Sequence, residues 1–156
     1  MKNLYLILFT IFVILPIKGY SLEKGKWSFV KDDSWCYIGS LPLKSDLPDT
    51  KKRGENYILV YKLIGSDEKI IQIEAGYNYN LSADIVVKID QAEYGFWTTE
   101  DSSDTAWADN DTEVIYAMKM GLELILNGES SRGTITNDTY TLKGFTAALN
   151  KLNEDC

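Results

Sequence analysis

The sequence predicts a mainly β domain with two short helices and one disulfide bond. Short segments with alternating apolar and polar residues recur along most of the chain, and turn-forming residues separate them. Two later segments carry apolar residues at helical spacing. The only two cysteines are Cys36, on an early predicted strand, and Cys156, the last residue. These three observations together favour a β domain that is closed by a covalent bond.

The first residues resemble a secretory signal peptide. Met1–Asn3 carry one positive charge, and Leu4–Ile17 form an almost uninterrupted apolar run with Pro16 near its end. This run is shorter than the roughly 20 residues that span a bilayer, although an uncleaved N-terminal anchor stays an alternative. We therefore predict a signal peptide over residues 1–21 and one domain over residues 22–156, without a transmembrane segment in the mature chain.

Eight strands follow from the alternation and from β-branched and aromatic residues. They are predicted at residues 27–31, 35–40, 57–64, 70–75, 85–89, 92–98, 122–127 and 134–142. The strand at residues 57–64 is almost entirely apolar, which predicts burial on both faces. Residues 41–53 contain two prolines and predict a long irregular connection. Asn127-Gly128 is a favoured hairpin dipeptide and predicts a turn.

The two helices are predicted from residue 111 onward and at residues 145–152. The first has apolar residues at helical spacing, Asp111 or Thr112 as its N-cap, and Gly121 at its end. In the second, Phe145, Ala148, Leu149 and Leu152 share one face. This second helix would carry Cys156 back to the body of the domain.

One even pair of cysteines in an exported chain predicts a Cys36–Cys156 disulfide. The two residues are 120 positions apart, unlike the Cys-x-x-Cys spacing of redox sites. Export and a disulfide predict a periplasmic or secreted bacterial protein.

The charge and composition exclude several classes of function. The net charge of −7 becomes −9 once Lys2 and Lys18 leave with the leader, which disfavours nucleic acid as a partner. We interpret the single basic cluster, at residues 51–53, as a solvated loop. The chain has no histidine, so it lacks the usual catalytic base and the commonest zinc ligand. We expect no cofactor, no metal and no enzymatic activity.

Two polar segments are candidate sites. The acidic segment at residues 100–113 suggests calcium, yet it lacks the order of an EF-hand, and Asp111 is better explained as a helix cap. Residues 130–134 contain serines but no histidine to activate them, so a turn with Gly133 at an unusual backbone angle is favoured over a nucleophile. Arg132 in that turn is a candidate partner-binding residue for a carboxylate or phosphate.

The aromatic residues could form a surface that binds carbohydrate or protein. Most are expected in the core, because a β domain of this size needs large side chains to fill it. Trp107 lies among acidic residues in a predicted loop, where it would be either a lid on the core or an exposed anchor. It is the second candidate partner-binding residue.

An ordered set of short motifs resembles the bacterial invasion associated locus B family across nearly the whole mature chain. The motifs are Trp35-Cys36-Tyr37, Arg53-Gly54, Ala75-Gly76-Tyr77, Ala106-Trp107, Ala117-Met118 with Gly121, Ser130–Thr134, Tyr140–Ala147 and the terminal Cys156. The resemblance implies an extracytoplasmic domain with an immunoglobulin-like β-sandwich, and no catalytic residues to carry over. Thr141 and Tyr79 depart mildly from the pattern, where Ser and Phe are expected.

The leading functional hypothesis is a non-enzymatic exported protein that binds a protein or envelope component, with a role at the host interface implied by the resemblance. One alternative is an envelope-directed hydrolase that uses paired carboxylates from Asp104, Asp109 or Glu74, which must lie about 5 to 10 Å apart. Another is a structural or stress-protective periplasmic protein.

Overall fold

The computed structural model describes residues 21–156. The predicted signal peptide lies outside the described residues, except for its last position. Within the described range, no helix is long and apolar enough to cross a membrane.

Ten strands form one continuous antiparallel sheet. They are β1 (Ser28–Lys31), β2 (Trp35–Ser40), β3 (Lys44–Ser45), β4 (Tyr57–Leu63), β5 (Ile70–Glu74), β6 (Ile85–Ile89), β7 (Ala92–Trp97), β8 (Thr105–Ala108), β9 (Glu123–Glu129) and β10 (Ile135–Thr141). Their order across the sheet is β1-β2-β4-β5-β8-β7-β6-β9-β10-β3. All eight predicted strands are present, and β3 and β8 are additional.

The sheet curls until its two ends meet. β2 and β3 lie near opposite ends of the sheet, yet only residues 41–43 connect them. The indole Nε1 of Trp27, just before β1, donates a hydrogen bond to the carbonyl oxygen of Thr141 at 2.9 Å. Inward-facing residues from both halves of the sheet therefore share one core. The predicted class, mainly β with two helices and one disulfide, is confirmed, and this arrangement is compatible with an immunoglobulin-like sandwich.

Two helices pack against this core. The helix α1 (Asp111–Met120) buries Val114 and Met118, and α2 (Phe145–Asp155) buries the four apolar residues that the sequence predicts. The N-cap of α1 is Asn110, whose side-chain oxygen accepts a hydrogen bond from the backbone N–H of Glu113. The expected cap Asp111 has another partner, because its Oδ1 accepts a 2.7 Å hydrogen bond from the backbone N–H of Ile71 in β5.

Two local expectations are wrong for reasons of long-range packing. Asn127-Gly128 is no turn but lies inside β9, and the chain reverses at residues 131–133. A Cβ on Gly128 would lie 2.9 Å from atoms of Tyr77 and Tyr79, so glycine here permits close packing. The strand β4 is not buried on both faces, since Tyr57 and Tyr61 are only half-buried.

A disulfide bond joins Cys36 in β2 to Cys156 after α2, as predicted. The Cα atoms are 5.9 Å apart, and Cys36 is fully buried. α2 contacts both β1 and β2, so the bond fastens a helix that already packs on this end of the sheet.

A buried ion pair holds the loop between β3 and β4. Arg53 donates hydrogen bonds to both carboxylate oxygens of Asp138 in β10, to the carbonyl oxygen of Ala75 and to Ser45 Oγ. The side chains of Arg53 and Asp138 are 9% and 0% exposed. Burial by itself lowers the pKa of Arg53, but the hydrogen bond and charge of Asp138 outweigh it, and the pKa is raised. The prediction that Arg53 belongs to a solvated basic run is therefore wrong.

Reduction of the Cys36–Cys156 disulfide will destabilise the domain. Opening a loop of 120 residues lowers the free energy of unfolding by about 4 to 5 kcal/mol as an upper limit, because the unfolded chain gains entropy. The measurement is thermal unfolding of wild type and Cys156→Ser with and without dithiothreitol. Dithiothreitol should lower the wild-type Tm to that of the variant and leave the variant unchanged. An unchanged wild-type Tm would contradict this role.

Asp138→Asn will destabilise the domain by about 3 to 5 kcal/mol, because it leaves the buried Arg53 guanidinium without a counter-charge. Tyr140→Phe is the matched control in the same strand. The buried hydroxyl of Tyr140 has no hydrogen-bond partner among the described residues, so its removal should leave stability equal or higher. Urea unfolding measures both variants. An equal loss of stability in both variants would contradict the prediction, because it would show that any change in this part of the core destabilises the domain.

Candidate functional site

A basic cleft of about 730 Å³ opens beside the loop that Arg53 anchors. Its charged lining residues are all cations: Lys51, Lys52, Arg53 and Arg132. Uncharged residues complete the lining, among them Thr50, Gly76, Tyr77, Ser131 and Thr134. We call this the basic cleft. The chain has a net charge of −7, whereas the cleft is lined by positive charges and no carboxylate. The electrostatic potential in the cleft is therefore opposite in sign to that of the chain as a whole.

Backbone packing fixes one wall of the basic cleft. The N–H of Gly54 donates a 2.8 Å hydrogen bond to the carbonyl oxygen of Gly76. Gly76 has a φ of +75°, and a Cβ on it would lie 2.5 Å from the carbonyl oxygen of Gly54, so the contact requires glycine. The motifs Arg53-Gly54 and Ala75-Gly76-Tyr77 are thus in direct contact.

The opposite wall is the turn at Ser130–Thr134, as predicted. The Ser130 N–H donates to the Thr134 carbonyl oxygen, the Thr134 N–H donates to Ser130 Oγ, and Gly133 has a φ of +77°. Lys51 Nζ donates a 2.7 Å hydrogen bond across the cleft to Thr134 Oγ1. Arg132 is exposed at the tip of this turn. In the described part of the chain, Lys51, Lys52 and Arg132 form no salt bridge.

A second surface lies on the outward side of the sheet, where aromatic side chains cross five neighbouring strands. The aromatic face consists of Trp35, Tyr37, Tyr57, Tyr61, Trp97 and Trp107. They belong to β2, β4, β7 and β8, and β5 contributes Gln72 and Glu74 between them. At about 4.8 Å per strand, this face is about 19 Å wide.

Five of the six rings of the aromatic face pack in two groups. The ring centroids of Trp35 and Tyr37 are 4.8 Å apart, and those of Trp35 and Tyr61 are 5.8 Å apart. Trp97 and Trp107 are directly opposite each other in neighbouring strands, with centroids 5.1 Å apart. Trp97 is 47% exposed and the other five are half-buried, so the rings support one another and still meet solvent.

Carboxylates lie near three tyrosines of the aromatic face. Partial burial and, after it, neighbouring carboxylates raise the pKa of Tyr37, Tyr57 and Tyr61. The acidic residues that act on these three tyrosines are Asp32, Glu55, Glu68, Glu74, Asp104 and Asp111. The face therefore combines aromatic rings with a negative potential.

The structure places the two predicted partner-binding residues on different surfaces. Trp107 is neither in a loop nor a lid on the core: it lies in β8 with its side chain on the aromatic face, while Ala106 and Ala108 face the core. Arg132 lies at the basic cleft. Most of the aromatic residues were expected in the core, but only Trp27 of the four tryptophans is buried. In β2, aromatic residues alternate with buried ones, and this pattern indicates an outward row of aromatic side chains.

The suggested catalytic carboxylates do not form one group. Asp104 and Asp109 flank opposite ends of β8, so five residues of extended chain, about 16 Å, separate them. Glu74 and Asp104 both accept from Thr105 Oγ1, at 2.6 and 3.3 Å, beside the aromatic face. Neither lines the basic cleft. For calcium, no group of three or more acidic residues in residues 21–156 is arranged to hold a metal ion.

Comparisons with known proteins connect this fold to one family. The sequence model described as invasion associated locus B (IalB) protein matches residues 31–153. The crystal structure of invasion associated protein B from Bartonella henselae matches with a TM-score of 0.55 and 18% sequence identity, over 83% of this chain and 93% of that chain. At this identity the structural likeness concerns the fold alone. No curated protein matches the sequence. Because the family model covers most of the chain, the protein belongs to the invasion associated locus B (IalB) family.

Proposed function

We propose that this protein is an exported, non-enzymatic binding protein of the bacterial envelope or host interface. Its aromatic face binds a basic surface of a partner protein. The observation that carries the proposal is the outward row of six aromatic side chains across five strands, surrounded by carboxylates. Family membership supports a role connected with invasion. The disulfide supports an oxidising compartment, the periplasm or the exterior.

The composition of the aromatic face supports a protein partner. Tryptophan and tyrosine are the residues that most often dominate binding energy at interfaces, because they bury a large area and lose little conformational freedom. Five of the six rings already pack in two groups, Trp35 with Tyr37 and Tyr61, and Trp97 with Trp107. Rings that are ordered before binding lower the entropic cost of association. Most outward positions of a solvated antiparallel sheet are polar, so this concentration of rings is unusual.

The charges on the aromatic face support a basic partner surface. Carboxylates around the rim attract lysine and arginine and speed the encounter of the two proteins. Once docked, a guanidinium or ammonium group can also lie over a tryptophan or tyrosine ring. A partner with an acidic surface would be repelled by Glu55, Glu68 and Glu74.

The separation of Asp104 from Asp109 supports the non-enzymatic part of the proposal over the envelope-directed hydrolase. Glu74 and Asp104 are close enough to form a pair, but their shared contact with Thr105 fixes them beside aromatic rings on an outward sheet surface. Glycosidic catalysis needs both carboxyl groups to flank a bond that is held in a cleft.

The test is quantitative capture from envelope extract by wild type, Trp97→Ala/Trp107→Ala and Tyr116→Ala, each with the disulfide intact. Tyr116 is a matched control, because it is 66% exposed on α1 and lies outside the aromatic face. Each captured protein is then purified and its Kd measured. We expect the double variant to weaken binding by at least about tenfold, as loss of interface tryptophans does, and Tyr116→Ala to leave it unchanged.

A charge variant separates loss of recognition from loss of folding. Glu55→Gln/Glu68→Gln removes two exposed carboxylates and no ring. It should slow association severalfold and reduce the dependence of Kd on salt, since steering by surface charge is screened by ions. Equal binding by wild type and both double variants, with equal Tm values, would refute the aromatic face as the binding surface.

A further inference from the structure

We infer that the basic cleft is a binding site for a phosphate-bearing ligand, separate from the aromatic face and independent of the function proposed for it. The inference starts from charge. Four cations and no carboxylate line a concave space of about 730 Å³, in a chain with 23 acidic residues against 16 basic ones. The cleft is therefore positive in a chain that is negative as a whole.

Only one of the four cations is neutralised. Arg53 lies at the base of the cleft, where Asp138 balances its charge and its donors are used by Asp138, Ala75 and Ser45. Its role is to hold the loop in place. Lys51, Lys52 and Arg132 are exposed at the cleft and form no salt bridge in residues 21–156. Three positive charges are thus available to a ligand.

Two of the acidic residues close in sequence to these cations bind other partners. Both carboxylate oxygens of Asp46 accept hydrogen bonds from Asn137, at 2.6 Å each. Glu129 accepts from the side chain of Asn80 at 2.8 Å. Neither of these carboxylates lines the cleft, and neither do Asp49 and Glu55, the acidic residues that flank the basic run.

The walls of the basic cleft are ordered without a ligand. The contact between Gly54 and Gly76 and the ion pair of Arg53 fix one wall, and the internal hydrogen bonds of the turn at Ser130–Thr134 fix the other. The 2.7 Å bond from Lys51 Nζ to Thr134 Oγ1 connects the two walls. Binding would therefore need only local side-chain ordering, which keeps its entropic cost low.

The residue types favour phosphate over a single carboxylate. Arginine presents two parallel donors to a phosphate, and lysine acts as a mobile point charge beside it. The hydroxyl groups of Thr50 and Ser131 add neutral donors at the same cleft. Three free cations match the two to four negative charges of a phosphomonoester or diphosphate better than the single charge of a carboxylate.

The experiment uses the oxidised mature protein and inorganic pyrophosphate as the probe, with binding measured by calorimetry at about 0.15 M salt, where exposed charges are screened beyond roughly 8 Å. We expect Lys52→Gln/Arg132→Gln to weaken binding by about tenfold or more, through loss of two charge-assisted contacts. Lys24→Gln/Lys143→Gln is the matched control, because it removes two exposed positive charges outside the cleft. It should bind like wild type.

Vesicles distinguish the source of the phosphate. Phosphatidylglycerol vesicles that retain wild type but not Lys52→Gln/Arg132→Gln indicate a lipid headgroup, whereas binding to pyrophosphate alone indicates a soluble phosphorylated ligand. Absence of binding to both probes overturns the inference, as does equal weakening by the cleft and control variants. Trp97→Ala/Trp107→Ala should keep full affinity for pyrophosphate. Failure of the inference about the basic cleft is therefore distinguishable from failure of the function proposed for the aromatic face.

Discussion

The ion pair between Arg53 and Asp138 is the interaction on which the position of the loop between β3 and β4 depends. Asp138 lies fully buried in β10, and Arg53 enters from a connection that has little apolar content of its own. A loop of that composition cannot be held by hydrophobic burial. Four hydrogen bonds to a single guanidinium replace it, and they bring the connection against β10, the end of β5 and β3.

The same ion pair determines where charge appears on the surface. By neutralising Arg53 inside the domain, Asp138 turns one member of a basic run into an anchor and leaves its two neighbours, Lys51 and Lys52, at the mouth of the cleft. The aromatic face lies on the outward side of strands whose alternate residues pack in the core. One domain thus presents two surfaces of opposite charge, each with its own structural support.

Short-range patterns were sufficient to predict most of the fold. The eight predicted strands and both helices depend on alternation, helical spacing and capping, which are properties of neighbouring residues. β3 was missed because its two residues, Lys44 and Ser45, are polar and pair with β10 only through long-range folding. Asn127-Gly128 was mistaken for a turn because the reason for its glycine, the rings of Tyr77 and Tyr79, lies some 50 residues away in sequence.

The candidate sites were predictable only in part. Trp107 and Arg132 were identified as unusual residues, but neither surface could be assembled from sequence, since each gathers residues from segments far apart in the chain. Arg53 shows why: its partner is 85 positions away, and nothing near it distinguishes a buried arginine from a solvated one. The disulfide was easier to predict, because a single pair of cysteines leaves one possible bridge.

The disulfide also constrains the order of events during folding. Eight of the ten strands and both helices lie between Cys36 and Cys156 in sequence. The bond cannot form until all of them have been synthesised, and the sequence has no third cysteine with which Cys36 could pair earlier. Formation of the bond therefore requires nearly the whole domain to be present, and until then the chain is held by its sheet and core alone.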